Sequence, residues 1–183
     1  LMETLSHCIL VPYDFTPPAM NAVAHALSLA KVLDTKITLL HIVKKDAEVP
    51  EMEQQIKEEA QKINETYNIL PNTIVREGSI FRTITQVAHE LEAVLVVMVT
   101  HGMKGMQKLT GSWALKVIVV SKVPFLVVQD PPKSTEIKKI VFPVDFKTEN
   151  KEKLKWAQFM AKYFPSKILL FSATSKEGVV DPR

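Results

Sequence analysis

Cys8 is the only cysteine in the chain, so no internal disulfide can form and the disulfide-stapled secreted scaffolds are excluded. A reducing, cytoplasmic compartment is expected. Glycine is also scarce, at five of 183 residues, and the eleven prolines are scattered rather than massed, so neither a flexible linker tract nor a low-complexity segment is present. Charge of one sign is not concentrated either. The 23 basic and 20 acidic residues leave a formal +3 spread along the chain, without the basic clustering of a nucleic-acid footprint. Apolar runs such as Val94 to Val99 fall far short of the roughly 20 residues that cross a bilayer, and residues 1–15 lack a signal-peptide core. The five histidines, His7, His25, His41, His89 and His101, stand apart, with no cysteine or carboxylate at metal-ligand spacing, so no metal site is expected.

Apolar runs alternating with helical periodicity are what the chain does have. Cys8 to Val11 is a short continuous apolar run, the pattern of a strand buried on both faces of a parallel sheet. Thr16 as N-cap with Pro17 at the first helical position predicts a helix over 17–33, lined by the small residues Ala19, Ala22, Ala26 and Ala30. A strand over 37–43 follows, then a polar helix over 50–67 with a thin stripe of Met52, Ile56, Ala60 and Ile63. Its acidic positions between 51 and 65 read as a solvated face. A third strand is expected over 73–76 ending at Gly78, and a third helix from the spacing of Phe81, Ile84, Val87, Ala88 and Leu91. The fourth strand spans 94–100, a glycine-bearing loop runs from His101 to Gly111 into a helix through Val120, and a fifth strand spans 123–129. This βαβαβαβαβ order demands a parallel sheet with right-handed crossovers and helices on both faces, an α/β Rossmann-like fold.

After Pro131 and Pro132 the pattern restarts. Laying Ile9 on Ile140 sets an offset of 131 that also matches Pro12 with Pro143, Asp14 with Asp145 and Phe15 with Phe146 without a gap. The register holds through Ala26, Ala30 and Lys31 on Ala157, Ala161 and Lys162, and through Lys36, Ile37 and Leu39 on Lys167, Ile168 and Leu170. We therefore read a complete domain over 6–130, a linker over 131–136 and a β-α-β partial second copy over 137–183. Half a parallel sheet cannot bury its own faces. Either this half belongs to a longer tandem chain, or it packs on the first domain or on another subunit.

The segment Ile9-Leu-Val-Pro-Tyr-Asp-Phe-Thr16, with Leu39-Leu-His-Ile-Val43, Met98-Val-Thr-His-Gly102 and Gly111-Ser112, closely resembles the universal stress protein family. The resemblance runs over residues 6–130, and Val123-Pro-Phe-Leu-Val-Val128 resembles the family's closing strand. It implies an open five-stranded parallel sheet in the order 3-2-1-4-5. In such a sheet a ligand sits beyond the carboxyl ends of the strands where the order reverses, between strands one and four. It also implies a regulatory protein of the stress response that binds ATP or AMP there.

By that resemblance, Asp14 would face the adenine or ribose, and Ile42 would offer apolar and backbone contact to the purine. Pro12, Tyr13, His41, Val99, Thr100, His101 and Gly105 would line the same crevice. Gly102, Gly111 and Ser112 would hold phosphates, since glycine lets backbone N–H groups approach closely and a helix N-terminus favours anions. Lys104 and Lys108 would add screened positive charge. The family's phosphate pattern is Gly-x2-Gly-x9-Gly followed by Ser or Thr. Val99 stands in place of its first glycine, and eight residues rather than nine separate Gly102 from Gly111.

Blander readings compete at each position. Asp14 could simply cap the following helix, Gly111-Ser112 could be an ordinary helix entry, and Met106 and Trp113 could be packing residues. Three function classes follow: an adenine-nucleotide-binding regulator, a nucleotide-free dimerising interaction module, and an enzyme such as an ATPase. The enzyme is the poorest match, because no nucleophile with its base, Walker lysine or paired carboxylates is evident. The apolar fifth strand lies at a sheet edge, so a homodimer through residues 124–129 is expected.

Overall fold

The computed structural model describes residues 7–99, 118, 121–133, 137–143, 154, 157, 158, 160, 161 and 164–172. The expectations for Thr100, His101, Gly102, Gly105, Gly111 and Ser112, and for the helix to Val120 apart from Ile118, lie outside the described residues. The chain divides into two compact units, Leu1–Pro132 and Lys133–Arg183.

In the first unit the elements run β1 (Ile9–Pro12), α1 (Pro17–Leu33), β2 (Ile37–Val43), α2 (Val49–Tyr67), β3 (Asn72–Glu77), α3 (Ile80–Glu90), β4 (Leu95–Val99) and β5 (Phe125–Val128). They build one five-stranded sheet in the order β3-β2-β1-β4-β5, with every neighbouring pair parallel. Right-handed crossovers in this order place α1 and α2 on one face and α3 on the other. The alternation expected from the sequence is therefore present, with shifted ends. β1 begins one residue later than the apolar run and extends through Pro12, while β5 is confined to Phe125–Val128. Before β5, Ser121 turns the chain: its N–H bonds Ile118 O, and its hydroxyl both donates to Val123 O and accepts from Val123 N–H. That turn uses the residues expected to open the strand.

Packing follows side-chain size. α1 starts with Pro17 and Pro18, where the first-turn N–H groups have no helical partner to lose. Its buried residues Ala19, Ala22, Ala26 and Ala30 bring the backbone close to the sheet. Asp34 ends it in the left-handed region, its N–H returning to Ala30 O. α2 buries only Ile56, Ala60 and Ile63, as a helix with one face in water should. On the α3 face, Leu10, Leu40 and Val96 from three adjacent strands pack with Ile84, Val87, Ala88 and Leu91. Gly78 joins β3 to α3 at a φ of +151°, where a Cβ would collide with the Thr83 hydroxyl.

The second unit contains β6 (Lys139–Pro143) and β7 (Lys167–Phe171), paired in parallel. Of the described residues between them, 154, 157, 158, 160 and 161 are helical. Its ladder repeats that of the first unit. Ile140 lies opposite Ile168 as Ile9 lies opposite Ile37, and all four β1–β2 pairs recur at the offset of 131 that carries Ile9 to Ile140. Burial repeats only in part: Phe142 and Ala157 are buried like Val11 and Ala26, whereas Val141 and Leu170, the counterparts of the fully enclosed Leu10 and Leu39, are 63% and 68% exposed.

Candidate functional site

The sheet reverses its order between β1 and β4, and there the pairing is short. Only Ile9↔Leu95 and Leu10↔Val96 are matched, although β1 continues to Pro12 and β4 to Val99. A crevice at the strands' carboxyl ends follows from that early end of the ladder. On its β1 side, Pro12 lies opposite Leu40, and Tyr13 N–H donates to Leu40 O at 2.8 Å, which carries the backbone one residue past the strand.

Asp14 comes next, and its two carboxylate oxygens differ. Oδ1 accepts the Thr16 N–H at 3.1 Å and also the Thr16 hydroxyl, closing a local turn into α1. Thr16 stands at the N-cap, but its side chain makes no capping bond because the hydroxyl is committed to Asp14. The expected threonine cap is thus replaced by an Asp-Thr turn. Oδ2 is buried and has no hydrogen-bond partner among the described residues. A buried carboxylate oxygen left without a donor costs about 1–3 kcal/mol or more, so a ligand donor there has a physical rationale that helix entry alone does not supply.

Around Asp14 is an aromatic frame. Tyr13 is 3% exposed, and its hydroxyl donates to Glu59 Oε2 at 3.3 Å and lies 3.4 Å from Met20 Sδ. Lys62 Nζ holds the other Glu59 oxygen at 2.6 Å. Burial, reinforced by the Glu59 carboxylate, pushes the Tyr13 phenol well above its ordinary range, so the hydroxyl stays protonated and a donor. Phe15 adopts a φ of 62°, unusual for a bulky side chain. Its ring meets Tyr13 edge-on at 5.4 Å and His41 at 4.8 Å. His41, near the end of β2, bonds the Tyr13 carbonyl through Nδ1 at 2.8 Å. A carbonyl only accepts, so Nδ1 is the donor in this bond.

Pro12, Tyr13, Asp14 and His41 are thereby brought together. Ile42 is half-buried, and its side chain packs against the cluster beneath α3. Val99 ends β4 opposite Val128 and is 1% exposed, so its side chain is a core residue. Sequence reasoning overlooked Phe15 and Glu59. Phe15 carried a signal, since Asp14-Phe15 recurs as Asp145-Phe146. Glu59 carried none, being one of many polar residues on α2. A concavity of about 860 Å³ lies elsewhere, on the solvent face of α2 beside Glu53, Lys57 and Glu65. Among the described residues no group of three His, Cys, Asp or Glu is placed to hold a metal ion, and no helix is long and apolar enough to cross a membrane.

These features define a doubly wound α/β domain whose candidate ligand crevice sits at the reversal of strand order. The profile of the universal stress protein family matches residues 7–129, and the chain belongs to that family. A universal stress protein of Methanocaldococcus jannaschii is 29% identical over 147 residues, covering 72% of this chain and 86% of that protein. One from Synechocystis is 32% identical over 132 residues, covering 66% of this chain and 83% of that one. Among solved structures, a universal stress protein from Archaeoglobus fulgidus superposes with a TM-score of 0.69 at 18% identity, over 99% of this chain and 71% of its own. A universal stress protein in complex with cAMP gives 0.55 at 19% identity, over 69% and 99%. Another from A. fulgidus, in complex with dAMP, gives 0.54 at 16% identity, over 68% and 99%.

Proposed function

We propose that this chain is a regulatory protein of the stress response that binds an adenine nucleotide, ATP or AMP, in the β1–β4 crevice without catalysing a reaction on it. The observation that carries this reading is the buried Oδ2 of Asp14, which has no partner among the described residues, at the reversal of strand order. Adenosine supplies suitable donors, the exocyclic amine and the ribose hydroxyls. Two structural neighbours bind cAMP and dAMP, which supports the choice of an adenine ligand. Asp14 and Ile42 would hold the nucleoside, with Pro12, Tyr13, His41 and Val99 lining the crevice beside them. Gly102, Gly111 and Ser112 would hold the phosphates, with Thr100, His101 and Gly105 beside them.

Calorimetric titration of the full chain with AMP and ATP tests the reading, with mass spectrometry of whatever the purified protein releases on denaturation. Asp14→Asn keeps an acceptor for the Thr16 turn but replaces the second acceptor with a donor. The expected result is a folded variant with at least tenfold weaker binding, about 1.4 kcal/mol. Wild-type protein that releases no nucleotide and takes up neither AMP nor ATP would refute it. A second reading, a nucleotide-free dimerising module, is favoured by Val99, a β-branched core residue standing where the family's phosphate pattern has glycine. A homodimer through residues 124–129 is compatible with both readings.

A further inference from the structure

We propose that one face of the β6–β7 ladder is a docking surface for an amphipathic helix of another polypeptide, with an apolar stripe and an acidic C-terminal end. Side chains alternate across a strand, and residues paired in parallel register share a face. Lys139, Val141 and Pro143 of β6 therefore lie beside Lys167, Leu169 and Phe171 of β7, and all six are exposed. Val141, Leu169 and Phe171 are 63%, 45% and 57% accessible, so three adjacent large apolar side chains face water. On the opposite face Phe142 is buried and Ile140 and Ile168 are half-buried, with Leu170 alone exposed. The uncovered surface is thus one whole side of the ladder.

The first unit shows what covers such a side. At the offset of 131, Lys139, Val141 and Phe171 correspond to Cys8, Leu10 and Leu40, which pack in one cluster with Ile84, Val87, Ala88 and Leu91 at α3. That helix runs antiparallel to the strands. Ile80 at its start packs on this cluster together with Ile42 from late in β2, whereas His7 N–H, just before β1, donates to Leu91 O at 2.9 Å. A helix laid on β6 and β7 in the same way brings its C-terminal carbonyls over the amino ends of both strands.

At those ends the two ladders differ in charge. Where the first unit has the buried Cys8 beside Lys36, the second has two exposed lysines, Lys139 and Lys167. The negative end of a helix dipole and acidic side chains near it are both favoured beside lysine. The wider charge agrees, because residues 133–183 hold eleven Lys and Arg against six Asp and Glu, and the residues before them twelve against fourteen. Lysines at one end and apolar side chains at the other match the polarity of a single helix laid along the strands.

The test is fluorescence anisotropy with a labelled peptide, stapled in helical form, that carries residues 79–92: the apolar stripe of α3 with Glu90 and Glu92 at its C-terminal end. The full chain is expected to bind it saturably with a Kd below about 100 μM. Changing both peptide glutamates to lysine should weaken binding about fivefold, and Lys139→Glu with Lys167→Glu in the protein should reverse that preference. Phe171→Ser, at an exposed position, should abolish binding while circular dichroism reports an unchanged fold. Absence of saturable binding to wild type, or equal binding of the charge-reversed peptide, overturns the proposal without any protein variant. A folded Phe171→Ser that still binds overturns it as well. So does co-sedimentation of wild type with phosphatidylserine vesicles that is lost in Phe171→Ser, since the face would then be a lipid-binding one.

Discussion

Thr38 in β2 is fully enclosed, and its hydroxyl oxygen, like Asp14 Oδ2, is buried without a hydrogen-bond partner among the described residues. The two orphans have different meanings because of where they lie. Asp14 ends a strand beside the crevice, where a ligand donor can arrive, whereas Thr38 sits inside the sheet opposite Leu10 and Asn72. Burial pushes the adjacent Cys8 thiol up, and the Thr38 hydroxyl offsets part of that, yet the pair forms no hydrogen bond of ordinary geometry. Replacing the hydroxyl by a methyl of similar shape removes an unpaid desolvation cost. Thr38→Val is therefore expected to raise the unfolding free energy by about 1 kcal/mol, seen as a higher urea midpoint at unchanged slope. A lower midpoint would show that the hydroxyl has a partner in solution.

At the scale of elements, β5 decides how the sheet ends. Val96 N–H donates to Pro124 O, and Val96 lies opposite Phe125. In a parallel ladder this register takes the N–H groups of Leu126 and Val128 for β4 and turns those of Phe125 and Val127 outward. Val127 is also the more exposed residue, at 41%. A dimer formed by pairing two β5 edges therefore depends on Val127, while proline at Leu126 would break the sheet itself. Light scattering is expected to report a dimer for wild type. Val127→Pro and the edge-blocking Val127→Lys should both be folded monomers at high micromolar concentration. A monomeric wild type removes the dimer, and dimeric variants move it to another surface.

Across the whole molecule, the same β-α-β pattern occurs twice, with burial shared at Val11 and Phe142 but lost at several other strand positions. Leu10, Leu39 and Leu40 are enclosed by neighbouring strands and helices of the first unit, whereas Val141, Leu170 and Phe171 at equivalent register are largely exposed. Exposed apolar strands with one paired neighbour have little burial to hold their ladder shut. Native-state hydrogen exchange should therefore show β1 and β2 amides protected at least a hundredfold longer than those of β6 and β7. Equal protection would mean that the second unit finds, in solution, cover equivalent to that of the first.

By itself the sequence determined the alternation of elements, the parallel sheet and the internal repeat, because buried parallel strands leave continuous apolar runs and helices leave a 3.6-residue stripe. It also singled out Asp14 and His41 as candidates, because the sequence places both at the ends of neighbouring strands. Only the tertiary structure decided the rest. That one Asp14 oxygen closes a turn while the other has no partner among the described residues, that His41 Nδ1 donates to the Tyr13 carbonyl, and that Glu59 meets Tyr13 across 46 residues all depend on atoms brought together by packing. The ends of β1 and β5 shifted for the same reason. Hydrophobic pattern records which residues are buried, whereas a strand stops where its neighbour's hydrogen bonds stop, and that is settled between chain segments distant in sequence.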